Sequence, residues 1–163
     1  MNQLTLILLS VALIGMVCLP LILNHFKQKN KGNLLKEKLK SEAQVENLNS
    51  GDIETWRENY CMGLDQENQH LIFLNGLDEG ESRLQKIDLA LVRLCRPIRN
   101  FRETIHGKEK RRIINKVSLV LDRYDEQAKP FTIDMYDEDQ SDYMINEWEL
   151  AQSWAKRIND LRN

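Results

Sequence analysis

The chain has 163 residues, of which 29% are charged, and its formal net charge is −2 at pH 7. This near-neutral charge excludes the strong positive field by which many proteins recruit nucleic acid, so we expect no nucleic-acid partner. The length suits one domain of ordinary size and leaves little room for two.

The first element in chain order is an uncharged, apolar run from Leu4 to Leu23. About 20 such residues match the thickness of the hydrocarbon core of a bilayer, so the run predicts a transmembrane helix. Lys27, Lys29 and Lys31 follow the run, whereas no charged side chain precedes it. Basic residues mark the cytoplasmic flank of a span, and we expect these three lysines to form a juxtamembrane basic anchor. The pattern therefore predicts a single-pass protein of the inner (cytoplasmic) membrane, with its N-terminus outside and its C-terminal domain in the cytosol.

A cleaved secretory signal is the alternative interpretation of this segment. Signal peptides carry a basic region before a shorter apolar core, and small residues precede their cleavage site. In this chain the apolar core is long and the basic residues follow it. We therefore prefer an uncleaved anchor. The chain then divides into a transmembrane anchor (1–26), a juxtamembrane basic segment with a helical stalk (27–51) and a cytosolic domain (52–163).

Residues 33–50 are polar and rich in helix formers. Within them, Leu35, Leu39, Val45 and Leu48 make only a thin, interrupted apolar stripe. A stripe of this width is typical of a juxtamembrane helix or stalk, one that can pair with a second copy, more than of a core element.

Short strands separated by turns are predicted from Trp56 onward, because the apolar period changes from helical to alternating. The predicted strands cover residues 57–64, 70–75, 83–89, 90–101, 113–124 and 130–136. In the fourth of these, Pro97 lacks a backbone N–H, so we expect it to end a strand at a sheet edge. The alternation is strongest around Val117, Leu119 and Leu121.

The last element is an amphipathic helix, predicted to run to the C-terminus from a cap at Ser141 or Asp142. Its apolar face comprises Met144, Trp148, Leu150, Ala151, Trp154, Ala155, Ile158 and Leu161. Each aromatic ring removes on the order of 200 Å² from water when it is buried. The two tryptophans therefore predict a large buried face and a helix that is integral to the fold.

Six or seven short antiparallel strands followed by one amphipathic C-terminal helix is the layout of pleckstrin-homology-like (PH-like) domains. The resemblance rests on four stretches: ENYCMGLDQENQHLIFLN, RLQKIDLALVRLC, VSLVLDRYDEQAKPFTIDMYD and EWELAQSWAKRIND. From about Trp56 to Asn163, the chain resembles small bacterial membrane-anchored proteins with a PH-like cytosolic domain. This resemblance implies an α+β fold, in which a small antiparallel β-barrel or sheet is capped by the C-terminal helix. It also implies a binding or scaffolding module rather than an enzyme.

Charge is segregated along the domain. Residues 93–116 hold nine basic side chains against two acidic ones, and residues 122–149 hold ten acidic side chains against two basic ones. Two interpretations stay open: the basic stretch contacts anionic lipid headgroups or a partner, or the two stretches pair across the sheet. For the first interpretation, the candidate contact residues are Lys108, Lys110, Arg111 and Arg112. We expect them on an exposed hairpin or loop, because so dense a set of cations cannot be buried unpaired.

No constellation for catalysis appears in the sequence. His25, His70 and His106 are far apart and have no metal-binding spacing, and the three cysteines stand singly. No GxSxG, P-loop or GxGxxG motif is present. We therefore expect no enzyme activity, no catalytic or metal-binding residue and no cofactor.

The sequence thus predicts a membrane-anchored, non-enzymatic interaction or scaffolding module at the inner leaflet. Its expected partners are another protein or its own copies, and anionic lipid headgroups. The alternative is an accessory or regulatory subunit of a larger membrane complex, held by its transmembrane helix. In that case the small residues Ser10, Ala12 and Gly15 would pack against the partner.

Overall fold

The computed structural model describes residues 16, 18–19, 23, 32–42, 52–57, 59–76, 82–106, 109–141 and 143–161. The fold is α+β, with antiparallel strands and a C-terminal helix, as the sequence predicts. The strands form two sheets rather than one. Two compact units make up the chain. The first comprises Met1–Asp65 and Ile72–Lys86, and the second comprises Gln66–Leu71 and Ile87–Asn163.

Most of the predicted transmembrane segment lies outside the described residues. Within that segment, Met16, Cys18, Leu19 and Leu23 are helical and exposed. No helix among the described residues is both long and apolar enough to cross a bilayer.

The first unit contains a helix, α1 (residues 32–42), and most of a four-stranded antiparallel sheet. The strands lie side by side in chain order and are β1 (Ile53–Trp56), β2 (Tyr60–Asp65), β3 (His70–Gly76) and β4 (Ser82–Asp88). Leu39 of α1 is fully buried in a cluster with Ile53, Cys61, Ile72 and Leu74. Residues 32–42 therefore contribute to a core, whereas the thin apolar stripe favoured a juxtamembrane helix or stalk over a core element. Leu35, on the same stripe, also packs against this cluster.

The strand predicted over residues 57–64 begins later in the structure. Arg57 adopts a positive φ of 49° and turns the chain, so that Trp56 of β1 lies opposite Tyr60 of β2. The rings of Trp56, Tyr60 and Phe73 stack on one another, with centroids 5.4 Å, 5.9 Å and 6.2 Å apart. Such stacking stabilises neighbouring strands. Trp56 is the last residue of β1, a strand that the sequence pattern does not predict.

The second unit holds a three-stranded antiparallel sheet and a helix. Its elements are β5 (Val92–His106), β6 (Glu109–Arg123), β7 (Phe131–Asp137) and α2 (Glu147–Leu161), with β6 at the centre of the sheet. Val117, Leu119 and Leu121 are fully buried on one face of β6, and Ser118 and Val120 on the other face are buried as well. The predicted strand is confirmed, but this part of it is covered on both faces. The helix α2 packs against all three strands. Its buried apolar residues are Leu150, Ala151, Trp154, Ala155 and Ile158.

Pro97 does not end its strand, contrary to the prediction. β5 continues through Pro97 to His106. Because β5 is an edge strand, a proline is tolerated there when the position of its missing N–H faces the open edge.

The helix α2 begins later than predicted, at Glu147 rather than after Ser141 or Asp142. The carbonyl of Asn146 accepts the first hydrogen bond of the helix, from the N–H of Leu150 (2.9 Å). Asn146 is therefore the N-cap, a position that asparagine favours. The buried carboxylate of Glu147 also accepts a hydrogen bond from the N–H of Ile145 (2.6 Å). This bond holds the preceding residues outside the helix.

Neither sheet closes on itself. The seven strands of the described chain form two open sheets. The predicted barrel is therefore not formed by these residues, and the sheet alternative describes the fold.

Candidate interaction surface on the β5–β6 hairpin

The strands β5 and β6 form one long antiparallel hairpin whose two halves have different neighbours. β7 pairs with β6 only from Lys116 to Leu121. We call residues 92–100 and 116–123 the root of the hairpin, and residues 101–106 and 109–114 its arm. The arm remains paired strand to strand, but no third strand of the described chain lies beside it.

The boundary between root and arm lies where β7 ends. The side chain of Asp137 accepts a hydrogen bond from the N–H of Asp139 (3.1 Å), and its carbonyl accepts one from the N–H of Gln140 (3.1 Å). The N–H of Glu138 donates to the carbonyl of Asn115 (2.9 Å), which is the extra residue of a bulge in β6. Aspartate favours turns through such local bonds, so the acidic run 137–140 directs the chain away from the arm.

In the root, the basic stretch pairs with the acidic stretch. The ion pairs that join the two stretches within the described residues are Arg93–Glu126 (3.1 Å), Arg96–Asp122 (2.7 Å), Lys116–Asp134 (2.8 Å), Lys116–Asp137 (3.4 Å) and Arg102–Glu138, the last at the start of the arm. The pairing interpretation of the segregated charge therefore describes the root.

These pairs favour the charged forms of the root cations. The hydrogen bond to Asp122, together with the charge of that carboxylate, raises the pKa of Arg96. The hydrogen bond to Asp134 raises the pKa of Lys116, and partial burial opposes this effect. Because both cations already bind carboxylates of the same chain, they are poor candidates for binding an external anion.

The root also carries the contacts with α2. The guanidinium of Arg99 lies 3.9 Å from the centroid of the Trp148 ring. The side-chain oxygen of Asn159 accepts a hydrogen bond from the N–H of Cys95 (3.0 Å), and its side-chain nitrogen donates to the carbonyl of Cys95 (2.8 Å). Trp154 is 0% exposed, whereas Trp148 is only partly buried. Trp154 is therefore the main buried aromatic residue of α2.

The arm exposes apolar side chains. Phe101 is 44% exposed, Ile105 is 74% exposed and Ile113 is 43% exposed. The strand register places Phe101 and Ile105 on one face of the arm and Ile113 on the other, because side chains alternate between the faces of a strand. Both faces of the arm therefore present apolar surface to solvent.

The same arm presents cations. Lys110, Arg111 and Arg112 are exposed on β6. The guanidinium of Arg112 lies 4.7 Å from the centroid of the Phe101 ring, and that of Arg99 lies 5.9 Å from it on the root side. Within the described residues, neither Lys110 nor Arg112 forms an ion pair. The arm thus combines cationic and apolar groups on one narrow ribbon.

The structure brings three of the predicted contact residues together, since Lys110, Arg111 and Arg112 are consecutive on the arm. The remaining predicted residues lie outside the described residues, and they are Lys27, Lys29, Lys31 and Lys108. Sequence reasoning missed the apolar partners Phe101 and Ile105. Their alternation with Arg102 and Thr104 is the available signal, but the predicted strand does not extend beyond residue 101, and Pro97 is expected to end it.

The first unit contains a buried thiol with little reactivity. Burial raises the pKa of Cys61 to about 12, and the nearby charge of Lys36 acts in the opposite direction. Since the thiolate is the nucleophilic form, Cys61 is inert near neutral pH. Among the described residues, no group of three histidine, cysteine or acidic side chains is arranged to hold a metal ion.

Comparisons of the chain with protein-family models, with curated proteins and with solved structures find no match.

Proposed function

We propose that the chain is a membrane-anchored, non-enzymatic interaction module whose hairpin arm contacts an anionic lipid surface. The N-terminal anchor and the PH-like character of the domain belong to this proposal. The PH-like character is supported by the seven strands and the C-terminal helix that the described chain contains.

The observation that carries the proposal is the difference between the cations of the arm and those of the root. In the root, Arg93, Arg96 and Lys116 bind carboxylates of the same chain. On the arm, Lys110 and Arg112 have no carboxylate partner among the described residues, and they lie on the same ribbon as the exposed side chains of Phe101 and Ile105. Each Lys or Arg near an anionic bilayer gains about 1 kcal/mol. Apolar side chains beside such cations enter the headgroup region, as they do in interfacial amphipathic segments.

Tethering would favour this contact. A domain that is held at the membrane by an anchor meets the lipid surface at an effective concentration set by its linker. A weak affinity of the arm is then sufficient, because the search is confined to the membrane surface.

The test uses the full chain reconstituted in bilayer nanodiscs, with Cys18→Ser and with Ile105→Cys carrying an environment-sensitive fluorophore. We expect lipid-attached quenchers to reduce its emission in anionic nanodiscs and not in neutral ones. The effect should weaken as salt rises, because the screening length falls to about 10 Å at 0.1 M and about 3 Å at 1 M.

A matched pair of variants separates the arm from total charge. The arm variant Lys110→Gln, Arg111→Gln, Arg112→Gln should lose the quenching. The root variant Arg93→Gln, Arg96→Gln, Lys116→Gln removes the same number of charges and should keep it. Equal quenching in neutral nanodiscs, or loss of quenching in both variants, would contradict a specific role of the arm.

A further inference from the structure

The edge of β5 is partly closed by a side chain and otherwise open. β5 is the outer strand of its sheet. The two hydrogen bonds from Asn159 go to the N–H and the C=O of Cys95. In an antiparallel strand both groups of one residue point to the same side, and the side alternates with each residue. Because Asn159 lies in α2 and not in β6, both groups of Cys95 point away from β6.

This alternation identifies the backbone groups along the rest of the edge. Residues at even spacing from Cys95 also point outward, and they are Pro97, Arg99, Phe101, Glu103 and Ile105. Pro97 fits the assignment, because its missing N–H falls on the open side. Within the described chain, no backbone group of residues 97–105 bonds outside the β5–β6 pairing. The open edge thus runs from Pro97 to Ile105, with Phe101 at its midpoint.

We propose that two copies of the chain pair antiparallel through this edge, with Phe101 of one copy opposite Phe101 of the other. An unpaired strand edge is a template for another strand. In this register, Arg99 of each copy lies opposite Glu103 of the other, and Pro97 lies opposite Ile105. The pairing is self-complementary, as a two-fold interface requires. The three-stranded sheets of the two copies would then form one six-stranded sheet.

Charge selects this register over its neighbours. Shifting the pairing by two residues in one direction places Glu103 opposite Phe101 and Arg102 opposite Arg102. A shift of four residues in that direction places Glu103 opposite Glu103, and like charges directly opposite are unfavourable. The opposite shift of two residues places Arg99 opposite Phe101 and Glu103 opposite Pro97. Only the register centred on Phe101 places Arg99 of each copy opposite Glu103 of the other and uses the full open edge.

The contact with α2 prepares Arg99 for this role. Its guanidinium lies 3.9 Å from the centroid of the Trp148 ring. A guanidinium that packs on a ring by its flat face keeps its N–H groups in the plane for a carboxylate. Asn159 in turn occupies the position where a longer pairing would continue, so it limits the interface to residues 97–105.

Disulfide trapping tests the register in the full chain with Cys18→Ser. Phe101→Cys should form a cross-linked dimer under mild oxidation, because opposite residues of paired strands have Cα atoms about 5.5 Å apart. Glu103→Cys is the matched control. Its two copies would be offset by four residues, about 13 Å, which exceeds the reach of a disulfide. Cross-linking of Glu103→Cys without Phe101→Cys, or of neither, would overturn the proposal.

Exchanging the charges of Arg99 and Glu103 tests the same interface. The measured quantity is the mass of the full chain in detergent micelles, determined by light scattering, which distinguishes monomer from dimer. Glu103→Arg should reduce the dimer fraction at least tenfold, and Arg99→Glu combined with Glu103→Arg should restore it. Lys110→Gln should leave the dimer unchanged, which separates this result from lipid contact by the arm. A dimer that persists in Glu103→Arg, or a double variant that stays monomeric and does not cross-link through Phe101→Cys, would overturn the proposal.

Discussion

The root and the arm of the β5–β6 hairpin belong to the same two strands and have the same basic character, yet their cations have different surroundings. In the root, Arg96 and Lys116 bind carboxylates of neighbouring strands. In the arm, Lys110 has no such partner among the described residues, and Ile105 is 74% exposed. The comparison teaches that neighbouring carboxylates, more than the basic composition of the two strands, decide which cations are paired: Asp122 of β6 binds Arg96, Asp134 of β7 binds Lys116, and β7 does not extend beside the arm.

The same boundary separates the core from the surface. Val117 and Leu119 of the root are fully buried, whereas Ile113 of the arm is 43% exposed. A two-stranded ribbon cannot bury apolar side chains without a further layer. Exposed apolar residues on the arm are therefore the expected result of a strand pair that extends beyond its third strand and helix, and they make the arm available to a partner surface.

The largest expected effect compares buried and exposed apolar side chains. Trp154→Ala should lower the free energy of unfolding by about 3–5 kcal/mol, because the ring is fully buried under the root. Ile105→Ala on the arm should change it by less than about 0.5 kcal/mol. Chemical denaturation of both variants measures the difference. Equal losses would mean that the arm is packed as tightly as the root.

A smaller effect is expected from the side chain that closes the edge of the root. Asn159→Ala should cost about 1–3 kcal/mol, because it leaves the buried N–H and C=O of Cys95 without these bonds. Asp160→Ala, at the exposed neighbouring position of α2, is the control and should be nearly neutral. Thermal unfolding of the two variants compares them. A neutral Asn159→Ala would show that water replaces the amide.

The smallest effect concerns the paired and unpaired lysines. Lys116→Gln should destabilise the chain by no more than about 1 kcal/mol at neutral pH. The raised pKa of Lys116 means that the folded chain keeps this proton after the unfolded chain has lost it. Its stabilisation is therefore full below about pH 10.4 and is lost as pH rises through the raised value.

The measurement is urea denaturation between neutral and alkaline pH. The wild type should lose stability more steeply than Lys116→Gln in the alkaline range. At neutral pH, Lys110→Gln on the arm should leave the stability nearly unchanged, because Lys110 forms no ion pair among the described residues. If Lys116→Gln lost stability as steeply as the wild type in the alkaline range, the ion pairs of Lys116 would not contribute to folding.

Much of the fold could be predicted from local pattern. The alternation around Val117, Leu119 and Leu121 identified a strand, because side chains point to opposite faces with a period of two. It did not show that Ser118 and Val120 on the other face are buried as well. The heptad-like spacing of the apolar residues near Trp154 identified α2 in the same way. The predicted helix start is too early because two good capping residues precede Asn146. The hydrogen bonds from Leu150 to Asn146 and from Ile145 to Glu147 show which position is used.

The candidate surface could be identified only from the sequence and the tertiary structure together. The sequence by itself determined that cations and acids are segregated, and that Lys110, Arg111 and Arg112 are consecutive on one segment. It left open whether the two stretches pair, because ion pairing depends on which strands lie side by side. The tertiary structure decided this point. Carboxylates lie beside Arg96 and Lys116 of the root and beside Arg102 at the start of the arm, but none among the described residues forms an ion pair with Lys110 or Arg112. The open edge of β5 was decided in the same way, because strand neighbours and the reach of Asn159 depend on residues far apart in the chain.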